Sequence, residues 1–207
     1  MFLPAPKLYP ITDVGLSGLS HADQVVRLCE GGATLAQLRE KSLSPREFFK
    51  QAEEAMRAAR QHGVRIIIND RVDVALALKA DGVHLGQNDL PPTAARRVLG
   101  DKAVIGFSTH NVEQAIRAAK LPIDYIAIGP IFATSTKKNP DPAVGLLGLR
   151  QVRKAVGKMP LVAIGGITRE NASEILAAGA DAVALISAII SEPAEISSRT
   201  KQLLSRL

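Results

Sequence analysis

Eight short runs rich in β-branched and other apolar residues recur along the whole chain, each followed by a stretch with helical spacing. The runs are Lys7–Thr12, Thr34–Glu40, Arg65–Asn69, Gly82–Leu85, Ala103–Ser108, Tyr125–Ile128, Leu161–Ile164 and Ala182–Ser187. Between them, segments such as Pro45–His62, Val112–Lys120 and Arg169–Ala178 place apolar residues near a 3.6-residue period. Ser44, Pro45 and Glu47 make a capping box with proline at the first helical position, and Asn111 with Gln114 forms a similar start. Gly31-Gly32, Gly63, Gly100, Gly157 and Gly179 each follow a helical stretch and supply stop signals. Strict β–α alternation calls for parallel strands joined by helical crossovers. Eight such units in 207 residues predict an α/β fold, a single-domain (β/α)8 TIM barrel near the small end of its size range. The rival, an open doubly wound sheet, usually has fewer strands, and no GxGxxG fingerprint follows the first run. No repeat beyond the βα unit and no low-complexity linker is evident.

Composition narrows the functional classes. Hydrophobic residues make up 46 % of the chain, which excludes general disorder. Apolar stretches such as Asp181–Ile190 are far shorter than a membrane span. The opening residues MFLPAPKLYP lack a basic start followed by a long apolar run, so no secretory signal is expected. One cysteine, Cys29, excludes an intramolecular disulfide and a zinc cluster and reads as core packing. The expectation is a soluble cytoplasmic protein with no membrane partner; homo-oligomerisation is left open. The net charge of +6 invites a nucleic-acid reading. That reading is rejected, because Lys and Arg are scattered and aromatic residues make up 3 % with no Trp to stack on bases. A basic balance equally suits phosphorylated small molecules.

In a TIM barrel, catalytic groups belong at the C-terminal ends of the strands. The second strand ends in Gln37-Leu38-Arg39-Glu40-Lys41, where alternation puts Gln37, Arg39 and Lys41 on one face. A barrel strand is covered on both sides, so this polar face must point into the lumen or its mouth; a structural ion pair is the alternative for Arg39. Asn69-Asp70 and Asp89 end or follow neighbouring strands, close enough for two carboxylates to reach one Mg²⁺. A helix cap for Asp70 and turn chemistry for Asp89 are the structural alternatives. Ser108 ends the fifth strand and is free for a ligand, because Asn111 can cap the next helix. Thr134, Ser135, Thr136 and Lys137 lie in the longest irregular stretch, suited to a polyphosphate cradle and a lid, or to an ordinary solvated loop. Gly165-Gly166 and Ile186-Ser187 follow strands seven and eight, the usual barrel phosphate site. His84 reads as a satisfied barrel histidine, and His21 and His62 as surface residues.

These segments, in order, resemble the thiamine-phosphate synthase family. The matching pieces are Tyr9-Pro10-Ile11-Thr12-Asp13, Gln37 to Lys41, Ile68 to Asp73, Gly82 to Gln87, Asp89-Leu90-Pro91, Ser108-Thr109-His110, Gly129 to Phe132, Thr134 to Lys137, and Ile164 to Ile167. The resemblance implies a transferase that joins a hydroxymethylpyrimidine diphosphate to a hydroxyethylthiazole phosphate and releases pyrophosphate. It implies that Gln37, Leu38, Arg39, Glu40 and Lys41 bind the pyrimidine diphosphate, with Asn69, Ser108 and Lys137 completing the site. Asp70 and Asp89 would hold Mg²⁺, and Thr134, Ser135, Thr136, Gly166, Ile186 and Ser187 the thiazole phosphate. The implied chemistry is dissociative, with Arg39, Lys41, Ser108 and Lys137 at the reacting groups. Thiazole tautomerases share the barrel but tend to lose the carboxylates and the second-strand lysine, and to carry a histidine where this chain has Pro130. Two further readings are an aldolase or isomerase barrel using a Schiff-base lysine, and a non-catalytic binder of thiamine precursors.

Overall fold

The computed structural model describes residues 6–134 and 141–207. Eight parallel strands close into a barrel in simple sequence order, with the last pairing to the first. They are β1 (Leu8–Thr12), β2 (Leu35–Leu38), β3 (Arg65–Asn69), β4 (Gly82–Leu85), β5 (Val104–Thr109), β6 (Tyr125–Ile128), β7 (Leu161–Ile164) and β8 (Ala182–Leu185). The described helices are α1 (Val14–Ser17), α2 (His21–Glu30), α3 (Pro45–His62), α4 (Val72–Leu78), α5 (Pro92–Leu99), α6 (Val112–Ala118), α7 (Gly145–Val156), α8 (Ala172–Ala177), α9 (Ser187–Ile190) and α10 (Ile196–Leu204). The single-domain (β/α)8 barrel read from the alternation is the observed fold. Among the described residues, no helix is long and apolar enough to cross a membrane.

Local chemistry accounts for the boundaries. Ser44 accepts from the Glu47 N–H while Glu47 accepts from the Ser44 N–H, a complete capping box at the start of α3. Asn111 caps α6 through the Gln114 N–H at 2.9 Å. Several boundaries differ from the sequence reading, three of them near the mouth of the barrel. β2 ends at Leu38 and β8 at Leu185, so Arg39, Lys41 and Ser187 stand beyond the sheet. α8 starts only at Ala172, because the Thr168 N–H turns onto Asn171 Oδ1 (2.8 Å) and the Glu170 N–H onto Thr168 Oγ1 (3.2 Å).

Period-two alternation sorts the side chains into two layers. Leu8, Ala36, Leu38, Ile66, Ile68, Val83, Leu85 and Ile126 pack outward under the helices. Tyr9, Ile11, Leu35, Ile67, Val104, Tyr125, Val162 and Ala184 fill the lumen. His21, expected at the surface, is fully buried. It opens α2 with its ring turned inward, bonded through Nδ1 to Thr12 Oγ1 (2.7 Å) and edge-on to Phe48. Helical spacing alone does not reveal that face, because the first turn contributes only one inward residue before Gln24 and Val25.

The bottom of the barrel carries a repeat absent from the sequence reading. Asp81, Asp124 and Asp181 stand one residue before β4, β6 and β8. Their carboxylates accept from the N–H groups of Ile66 (2.7 Å), Ile105 (2.8 Å) and Leu161 (2.8 Å) on the preceding strands. Their own N–H groups donate back to the carbonyls of the same residues at 3.0, 2.7 and 2.8 Å. Arg96 of α5 reaches Asp124 and the Ala103 carbonyl, and Arg153 of α7 reaches Asp181 and the Met159 carbonyl. At the other five steps the same position holds Lys7, Thr34, Val64, Ala103 or Pro160, none of which has a carboxylate. Asp124→Ala should therefore cost about 2 kcal/mol, since the Ile105 N–H loses a partner and Arg96 its counterion. Urea denaturation would measure this, with the exposed Asp101→Ala as a control expected to leave the midpoint unchanged.

Candidate active site

A cavity of about 930 Å³ opens at the C-terminal ends of the strands. Gln37, Arg39, Lys41, Asn69, Asp70, Asp89, Ser108, Thr134, Gly166, Ile186 and Ser187 all line it. Ser135, Thr136 and Lys137 lie outside the described residues. The side chains of Leu38 and Glu40 are not in the lining. Leu38 is on the outward face of β2, fully buried under the helices. Glu40 Oε1 folds back to accept from the N–H groups of Lys41 (2.7 Å), Ser42 (2.6 Å) and Leu43 (3.2 Å). Burial pushes its carboxyl up, but these bonds outweigh burial and hold it below the usual range. Glu40 thus builds the turn that delivers Lys41 to the cavity mouth.

One side of the cavity gathers charge. Arg39 pairs with Asp13, the cap of α1, and Lys41 pairs with Asp70. Asp70 has φ 62°, a left-handed conformation that a short polar side chain tolerates, and its N–H donates to the His84 carbonyl at 2.8 Å. Burial pushes the Asp70 carboxyl above its ordinary range; Lys41 opposes the shift and neighbouring Asp89 adds to it. Asp89 is anchored by the Gly86 N–H at 2.7 Å. Asp70 does not cap α4, whose cap position is Arg71. Two carboxylates thus face each other beside one lysine. Among the described residues no group of three or more His, Cys, Asp or Glu could hold a metal. A pair with open room beside it suits an ion such as Mg²⁺, which takes one or two carboxylates and fills the rest of its shell with water and substrate oxygens.

The opposite side is built on a glycine turn. Gly165 and Gly166 take φ 95° and 65° in succession after β7. A Cβ on Gly166 would stand 2.7 Å from both the Ala133 carbonyl oxygen and Phe132 Cβ, so only glycine fits. Successive backbone N–H groups in such a turn can make a concavity that accepts an anion. Asn171 Nδ2 holds the Gly166 carbonyl at 3.1 Å, and Ile186 and Ser187 complete the wall.

The lumen floor holds groups that the sequence reading did not place in the site. Gln37 Nε2 donates to Tyr9 Oη (3.1 Å), Tyr9 Oη meets Tyr125 Oη (3.1 Å), Tyr125 Oη meets His84 Nδ1 (2.8 Å), and His84 Nε2 meets Ser108 Oγ (2.8 Å). Burial lowers the His84 pKa to about 4, a shift that Asp89 opposes, so its ring is neutral near pH 7. Burial raises both tyrosine hydroxyls above their usual range. His84 has its hydrogen bonds satisfied, as expected, yet it also faces the cavity. In the sequence Tyr9 stands out only within the Tyr9-to-Asp13 match, and Tyr125 only as the first residue of the sixth strand. His110, at the mouth, puts Nδ1 2.6 Å from the Gly129 carbonyl, and Arg199 of α10 reaches the wall while bonded to Glu195. No local motif marks Arg199, which arrives from a helix after the last strand.

Known proteins are similar to this chain over nearly its whole length. The profile of the thiamine monophosphate synthase family matches residues 8–189. A thiamine-phosphate synthase of Clostridium novyi (strain NT) is 49 % identical over 185 residues, covering 89 % of this chain and 90 % of that protein. A thiamine-phosphate synthase of Albidiferax ferrireducens is 48 % identical over 205 residues, covering 98 % of this chain and 93 % of that protein. Among solved structures, a thiamine phosphate pyrophosphorylase from Pyrococcus furiosus superposes with a TM-score of 0.86 at 36 % identity, covering 97 % of this chain and 96 % of that one. With the fold, the order of the motifs and relatives at this identity all in agreement, the chain belongs to the thiamine monophosphate synthase family, a family of transferases.

Proposed function

We propose that this chain condenses 4-amino-2-methyl-5-hydroxymethylpyrimidine diphosphate with hydroxyethylthiazole phosphate, giving thiamine phosphate and pyrophosphate with the help of Mg²⁺. The observation that carries this reading is that one cavity sets a cationic, carboxylate-bearing wall opposite a glycine-built anion cradle. A diphosphate on one wall and a phosphate on the other would point their reactive ends at each other across the lumen.

Asp70 and Asp89 would hold the Mg²⁺, which when bound supplies positive charge to the diphosphate as it leaves. The remaining work falls to the chain itself. Arg39 and Lys41, set on the turn built by Glu40, would take the diphosphate oxygens, and Lys137 would add a further charge. The bond from the exocyclic methylene to the diphosphate oxygen breaks first, leaving a cation spread over the aminopyrimidine ring. The thiazole nitrogen then supplies the electron pair for the new C–N bond. No strong base is needed, so alignment and stabilisation of the departing charge make up the catalysis. The apolar lumen residues Ile11, Val162 and Ile164 exclude water that would otherwise trap the cation.

The test is an endpoint assay read by mass spectrometry. Protein would be incubated with both substrates in Mg²⁺ or in EDTA. Thiamine phosphate should form only with Mg²⁺. Absence of product from well-folded protein in both tubes overturns the reading.

A further inference from the structure

The two walls of the cavity differ in charge. Arg39 and Lys41 face carboxylates that are themselves mostly buried, Asp13 and Asp70. The lining from Gly165 to Thr168 and from Ile186 to Ser191 contains no charged side chain. Backbone N–H groups there offer only dipoles, whereas a phosphate monoester brings roughly two negative charges near pH 7. Among the described residues, one permanent cation reaches this part of the cavity, Arg199 of α10.

Its position follows from α9. Ser187 opens that helix and Ser191 caps its end four positions on, so both lie on one face, about 6 Å apart along the axis. Arg199 Nη1 donates to Ser191 Oγ at 3.2 Å, which sets the guanidinium one helical turn from Ser187. Its Nε donates to Glu195 Oε2 at 2.8 Å, and Nη2 lies 2.7 Å from the same oxygen. One N–H on Nη1 and one on Nη2 are left without a partner among the described residues. The tether to Glu195 is weak, because that carboxylate is 57 % exposed while the guanidinium is 21 % exposed.

We infer that Arg199 is a binding residue for the phosphate end of the thiazole-side substrate, held in reserve by Glu195 and supplying the net charge that the glycine turn lacks. Glu195 stands just before α10 and outside the cavity lining. It therefore competes with the substrate for one guanidinium, and the stronger its hold, the weaker the anion is bound. Removing its charge should improve binding, an outcome that a purely structural clasp between α9 and α10 does not produce. The identity of the anion rests on the synthase reading; the pull of Arg199 on phosphate does not.

Isothermal titration calorimetry of the intact chain tests this with three probes: hydroxyethylthiazole phosphate, unphosphorylated hydroxyethylthiazole and inorganic phosphate. Arg199→Gln should weaken both anions roughly tenfold and leave the unphosphorylated alcohol unchanged. Arg199→Lys, which keeps the charge, should recover most of that loss. Glu195→Gln should tighten both anions about two- to fourfold, and the gain should vanish in the Arg199→Gln background. A folding defect does not tighten a ligand, so Glu195→Gln decides the matter even where Arg199→Gln fails to fold. An unchanged or weakened anion affinity in Glu195→Gln overturns the inference. So does an Arg199→Gln that weakens the alcohol as much as the anions. The expected tightening of inorganic phosphate in a chain that makes no thiamine phosphate would sink the synthase reading and leave the role of Arg199 standing.

Discussion

Asp70→Asn should lower Mg²⁺-supported turnover about a hundred- to a thousandfold while leaving the barrel folded. The backbone is indifferent to the change. Asparagine tolerates φ 62° as well as aspartate does, and the bond from the residue 70 N–H to the His84 carbonyl involves no side chain. What disappears is the negative charge. Asp70 is partly buried and faces Asp89, a repulsive arrangement that only a nearby cation relieves, and Lys41 supplies part of that relief. Losing the Lys41 pair costs little, because Lys41 is 54 % exposed. Denaturation curves for the free protein should therefore agree within about 1 kcal/mol, while the Mg²⁺ needed for half-maximal rate rises steeply. The exposed Asp73→Asn, which only breaks a surface pair with Arg71, should leave both unchanged. Full activity of Asp70→Asn across a Mg²⁺ titration would remove Asp70 from the proposed metal site.

Gly166→Val should damage the opposite wall. A branched side chain would have to enter where the Ala133 carbonyl oxygen and Phe132 Cβ leave only 2.7 Å, at a φ of 65° that β-branched residues avoid. Strain and overpacking together should cost roughly 3 kcal/mol of stability. If the turn opens to relieve the clash, the cradle proposed for the phosphate opens with it. The KM for hydroxyethylthiazole phosphate should then rise at least about tenfold, with the KM for the pyrimidine diphosphate much less affected. Thermal melting and steady-state kinetics in each substrate would separate the two effects. An unchanged thiazole-phosphate KM would place that phosphate elsewhere.

Much of this molecule could be read from the sequence because its signals are local. Alternating β-branched runs and helical stretches gave eight strands in order, and caps such as Ser44 with Glu47 fixed where helices begin. Gln37, Asp70, Asp89, Ser108 and Gly166 could be placed at one mouth because strand ends of a parallel barrel all point one way. What stayed hidden depends on which distant residue each side chain meets. The burial of His21 needs Thr12 and Phe48 opposite it. The outward turn of Glu40 follows from β2 ending early, which frees the chain to curl over three backbone N–H groups. The lumen row joins residues up to 116 positions apart, and no spacing rule connects Tyr9 to Tyr125.

The three aspartate fasteners at the base leave the barrel unevenly stiff. β3–β4, β5–β6 and β7–β8 are each pinned by a reciprocal pair of bonds outside the ordinary ladder, whereas the other five seams have none, and of these β1–β2 shares the fewest register pairs, two. β1 and β2 are thus the two strands that carry no fastener, and the seam between them has the shortest ladder. Gln37, Arg39 and Lys41 are mounted directly above it, while the glycine turn rises from a pinned pair. In the reading proposed above, the arm that would follow a departing diphosphate rises from an unfastened strand, and the cradle that would hold the thiazole phosphate from a fastened pair.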